Sequence, residues 1–119
     1  MTGHTIESIV QKLESFKHKK DQFHLDAQRL INELDNQDEI SLYNTHAKVS
    51  YMMGHEIDLL NQISEINLEL PRDCNPYIKE QCTLCKQSIQ DSLNTFNKWV
   101  RELDNRLTKN ENQEFKKLY

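Results

Sequence analysis

From Ile6 onward, Ile9, Leu13, Phe16, Phe23, Ala27, Leu30 and Leu34 recur in steps of three and four, and Lys20 is the single polar member of the series. That is the a/d spacing of a heptad, and it predicts a helix over about 5–36. Asp35-Asn36-Gln37-Asp38 is a cluster of turn-forming residues, with Asp38 or Ser41 placed to cap a second helix. Between Ile40 and Leu70 the apolar positions form two stripes. Leu42, Val49, Met53, Leu60, Ile63 and Leu70 make one, and Met52, Leu59 and Ile66 make the other beside it. Together they cover roughly half the circumference, wider than the ~100° stripe of a helix with one neighbour. A helix over 39–70 therefore sits between two others.

This second helix stops before Pro71, which pushes the residue ahead of it out of the α region. Asn75-Pro76 then reads as a helix start, the asparagine capping and the proline tolerated at the first position. Ile78, Cys82, Cys85, Ile89, Leu93, Phe96, Val100, Leu103 and Leu107 come next at an average spacing near 3.6, predicting a helix over 76–108 with a frayed or extended tail, 109–119. Each of the three helices spans about 45 Å at ~1.5 Å per residue. Similar lengths and short loops imply an all-α chain, an up-down-up antiparallel three-helix bundle with coiled-coil-like helices, in one domain over 1–119.

Residues equally far from a tight turn meet across an antiparallel pair. Reflection about Asp38 sets Leu34 on Leu42, Leu30 on His46, Ala27 on Val49, Phe23 on Met53, Phe16 on Leu60 and Leu13 on Ile63. Reflection about the 71–75 loop sets Ile66 near Cys82, Leu59 near Ile89, Met52 near Phe96 and Val49 near Trp99. The first alignment also sets Lys20 opposite Glu56, the charged members of their stripes. They are expected to pair and fix the register, the alternative being that both snorkel to the surface.

Composition narrows the class of function. Among 119 residues there are only two glycines and two prolines, which leaves little room for a sheet. The mean hydropathy of −0.83 suits long amphipathic helices. No apolar run approaches the roughly 20 residues of a membrane span, and the first residues lack the pattern of a signal peptide, so a cytoplasmic or nuclear protein without membrane insertion is expected. A net charge of −4 speaks against nucleic acid as a partner.

Candidate chemistry is sparse. Cys82-Thr-Leu-Cys85, with Cys74 eight residues earlier, lacks the second ligand pair of a zinc site. Core packing, metal binding and a redox role are its three readings. His4, His18, His24, His46 and His55 show no metal spacing, and His46 falls on the apolar stripe as a layer histidine or, alternatively, a ligand. Lys17-His18-Lys19-Lys20 is a solvated face or a contact for an acidic partner. With no activated nucleophile, phosphate loop or paired carboxylates, a non-enzyme without cofactors is expected.

Tyr43 and Tyr51 stand on the polar side of the second helix, where a monomeric bundle has no need of rings. With Trp99, Phe115, Leu118 and Tyr119 they are the candidate partner-binding residues. In outline the pattern is similar to spectrin repeats, syntaxin N-terminal regions and tubulin-binding cofactor A, a likeness of architecture that assigns no activity. The leading expectation is an interaction module, a small adaptor or complex subunit binding another helical protein, with homodimerisation also open. A chaperone or inhibitor gripping one client through an exposed groove or the C-terminal tail is the alternative, and a cysteine-based metal or redox sensor is the third.

Overall fold

In the computed structural model, residues 6–118 are described along the backbone and 7–109 with their side chains. Three helices fill them: α1 (Ile6–Asn32), α2 (Glu39–Glu69) and α3 (Pro76–Leu118). They pack up-down-up as a bundle, each against both others and α2 most extensively against α3. No strand occurs among the described residues.

Side-chain chemistry sets the helix ends. α1 stops at Asn32, four residues before its expected end, because the chain tightens into a single 3-10 turn at Leu34–Asn36. Gln37 N bonds Leu34 O at 3.2 Å in that turn, and the Gln37 amide donates to Leu30 O at 3.3 Å. The tighter turn swings Leu34 into the core, and Thr45 Oγ1, donating to Gln37 Oε1 at 2.8 Å, fastens the turn to α2. Asp38 caps α2 by accepting from Ser41 N at 2.8 Å, and these bonds hold its carboxyl below the ordinary carboxylate pKa. Asn75 Oδ1 caps α3 by accepting from Tyr77 N at 2.9 Å, with Pro76 as its first residue. α3 continues through Thr108–Glu114, a polar stretch with neither glycine nor proline to break it. Its 43 residues set the long axis of the molecule, 68 Å against 21 and 19 Å across.

The core has two clusters, one toward each end. Ile9, Leu13, Phe16, Leu59, Ile63, Ile78, Cys82, Cys85 and Ile89 form the first, and Ala27, Leu34, Leu42, Val49, Phe96, Leu103 and Leu107 the second. Residues brought together by the two reflections fall in one cluster: Leu34 with Leu42, Ala27 with Val49, Leu13 with Ile63, Leu59 with Ile89, and Met52 with Phe96. The seams themselves are stricter heptads than the apolar letters suggest. On α3 the buried position is Ser92, not Leu93, so the series runs Cys85, Ile89, Ser92, Phe96, Leu103. On α2 it runs Leu42, Thr45, Val49, Glu56, Leu59, Ile63. Glu56 and Ser92, polar members of these two seams, meet between the clusters.

Candidate functional site

Glu56 is completely buried on α2, and its Oε1 accepts a hydrogen bond from Ser92 Oγ at 2.9 Å across the α2–α3 seam. Ser92 Oγ is in turn 3.1 Å from Nδ1 of His24 on α1. One residue from each helix thus enters a single polar layer. Among the described residues, Glu56 Oε2 has no hydrogen-bond partner. Burial raises the Glu56 pKa from 4.5 to about 7, against the lowering effects of the Ser92 hydrogen bond and the Lys20 charge. Burial likewise lowers the His24 pKa, with Lys20 adding to the effect and Asp21 opposing it.

The expected Lys20–Glu56 ion pair takes a different form. Lys20 occupies the same layer, and its charge acts on Glu56, but its ammonium lies 2.6 Å from Asp21 Oδ1 at the bundle surface. The hydrogen bond to the buried carboxyl comes from Ser92. A lysine on the outer side of the seam keeps its charge near water by snorkelling, whereas the Ser92 hydroxyl reaches the carboxyl at little desolvation cost. An open cleft of about 530 Å³ between α1 and α3, lined by Lys20, Asp21, His24, Asp91 and Ser92 among others, covers the layer on that side.

The direction of the hydrogen bonds defines what the layer can do. While Ser92 donates to ionised Glu56, its oxygen accepts from His24 Nδ1–H. If Glu56 is protonated at Oε1, both donors reverse and Ser92 donates to His24 Nδ1. The chain therefore stores a proton in either of two arrangements. The Ser92 proton goes to the carboxylate in the first arrangement and to His24 in the second.

The candidate partner-binding residues separate by location. Tyr43 and Tyr51 are exposed on the outer face of α2, with Ile40 and Ile57 exposed on the same helix. The Tyr51 ring is nevertheless held, edge-on to His55 at 4.5 Å, while His55 stacks on Phe23 at 5.4 Å. Trp99 is half-buried instead, packed on Phe96 at 5.3 Å and His24 at 5.0 Å. It closes the core end of the polar layer. The side chains of Phe115 and Leu118, and all of Tyr119, lie outside the described residues. His46 turns to α3, its Nε2 2.7 Å from Asp104 Oδ1.

Cys82 and Cys85 are buried, Cys85 Sγ facing Leu13 O at 3.7 Å, while Cys74 is half-buried in the loop. Burial raises both core thiols above the usual cysteine pKa. Among the described residues, no three His, Cys, Asp or Glu side chains gather as a metal site requires. Cys74 is expected to react with an aromatic disulfide reagent in the native protein, whereas Cys82 and Cys85 react only at the rate of unfolding. Three fast thiols would show that the bundle opens at its Cys82 end.

Ser92 and His24 are the layer members that sequence reasoning missed. A strict 3-4 count from Cys85 lands on Ser92, but the apolar Leu93 beside it drew the stripe aside. Comparison with protein-family models, curated proteins and solved structures finds no match to the chain.

Proposed function

We propose that the protein is a non-catalytic interaction module, a small helical adaptor or complex subunit, whose contact surface is the outer face of α2. The observation that carries this is the row of exposed Ile40, Tyr43, Tyr51 and Ile57 on a helix whose other side is already committed to α1 and α3. Tyrosines are common binding hot spots, and the packing of Tyr51 against His55 lowers the entropy it loses on association. No helix among the described residues is long and apolar enough to cross a membrane.

The test is photo-crosslinking from benzoylphenylalanine at the exposed Ala47 on this face, with Gln90 on α3 as the control position. A discrete adduct from 47, identified by mass and competed by excess wild-type chain but not by the Tyr51→Glu chain, is the expected result. No adduct, or equal labelling from both positions, would overturn the reading.

A further inference from the structure

The outer face of α2 is nearly palindromic. α2 runs from Glu39 to Glu69, so Gly54 is its central residue. Ile40 and Leu68 lie at equal distances on either side of it and are the most exposed large apolar residues described, at 73% and 84%. Tyr51 and Ile57 flank it symmetrically three residues away, 69% and 43% exposed. Glycine at the centre of a helix opposes helix formation, and a Cβ there would meet nothing within 4 Å. The bundle itself gives no reason for it.

We propose that this face docks a second copy of the same chain, α2 against α2 antiparallel, with the twofold axis passing beside Gly54. The proposal rests on the reading of the protein as an interaction module and names the partner. In such a pair, residue positions summing to twice 54 stand at the same level. Ile40 then meets Leu68 of the other copy, Tyr51 lies level with Ile57, and the two glycines face each other so that the backbones approach closely.

A twofold axis also keeps the two flanks of the seam distinct. At about 100° per residue, Tyr51, His55 and Asp58 lie on the same side of Gly54. These residues, with Ser50 and Gly54, line a shallow depression of about 380 Å³. Each copy therefore presents a held tyrosine and a depression on the matching flank of the other, as an isologous interface requires. Tyr51 of one chain enters the depression of its mate, where its hydroxyl is positioned to donate to Asp58.

The charges nearest Gly54 favour the antiparallel direction. Lys48 is the one Lys or Arg of α2, in its first half, whereas Asp58 and Glu65 are exposed in its second half. No ion pair joins Lys48 or Asp58 to another described residue. Antiparallel pairing sets each Lys48 beside Asp58 of the other chain, twice by symmetry. A parallel pair would set like beside like. A seam of 31 residues, about 46 Å by 10 Å, buries on the order of 900 Å² in all, the size of a weak, transient interface, and a reversible dimer is expected.

Sedimentation equilibrium of the full chain over a micromolar concentration series is the experiment. The expected result is reversible passage from 14.2 kDa to twice that mass. Tyr51→Glu and Gly54→Gln should each raise the dissociation constant roughly a hundredfold while circular dichroism and the melting temperature show an intact bundle. Leu84→Glu, on an exposed apolar residue of α3, should leave it unchanged. Lys48→Glu and Asp58→Lys should each weaken the dimer and together restore it, which an intact bundle dimerising elsewhere would not show. A chain monomeric throughout, or a dimer indifferent to the α2 variants, would overturn the proposal. The crosslink from Ala47 to a different protein would then still stand or fall by itself.

Discussion

Replacing Phe96 by alanine is expected to cost about 3–5 kcal/mol, the usual range for deleting a buried aromatic ring from a core that cannot close over the cavity. Phe96 is fully buried in the second cluster, with its ring against Trp99 at 5.3 Å and His24 at 6.1 Å. Its neighbours come from all three helices, so no single side chain can move to fill the space. For a chain of this length the loss corresponds to a fall in melting temperature on the order of 15 °C. Urea unfolding measures it directly, as a lower midpoint at unchanged slope. The ring also covers His24 of the polar layer, so Phe96→Leu should recover most of the stability. A cost below about 1 kcal/mol for Phe96→Ala would mean that this cluster packs loosely, against its burial.

The architecture was legible because each helix states its period over many turns and each end carries its own chemistry. Asp38 and Asn75 cap where the letters place them, and Pro71 lies just beyond the second helix. The antiparallel registers were legible for a geometric reason: short loops leave reflection about the turn as the only alignment that superposes the stripes. What was not legible came from residues whose role depends on a partner. Ser92 looks like a surface serine until Glu56 is placed opposite it, and Trp99 looks like a contact residue until Phe96 and His24 are seen beneath it. Lys20 and Glu56 were correctly placed in one layer, but a helix wheel gives no depth. It could not show that the lysine reaches Asp21 at the rim while the carboxyl lies wholly inside. The outer face of α2 was visible only as two stray tyrosines. Its symmetry about Gly54 emerges once burial separates Ile40, Ile57 and Leu68 from the apolar residues of the core.

The buried carboxyl makes the sharpest prediction about pH. Glu56 has a pKa of about 7 in the folded chain against 4.5 ordinarily, so between these values the folded state binds more protons than the unfolded one. Stability from this group is complete below about pH 4.5 and is lost as pH rises to 7 and beyond, by up to roughly 3 kcal/mol at 1.36 kcal/mol per unit. His24 acts with the opposite sign, because its lowered pKa favours folding as pH rises toward 6.5. The two partly cancel in the wild-type profile, and the difference between wild type and Glu56→Gln isolates the carboxyl. Glutamine keeps an oxygen for Ser92 and resembles the protonated acid. Glu56→Gln should therefore match wild type near pH 4.5 and exceed it by about 2–3 kcal/mol at pH 8, read from urea midpoints at each pH. A stabilising Lys20–Glu56 ion pair demands the reverse, since removing its charge at pH 8 would leave the variant weaker than wild type. The sign of one difference at pH 8 thus decides whether the centre of the bundle holds a neutralised acid or an ion pair.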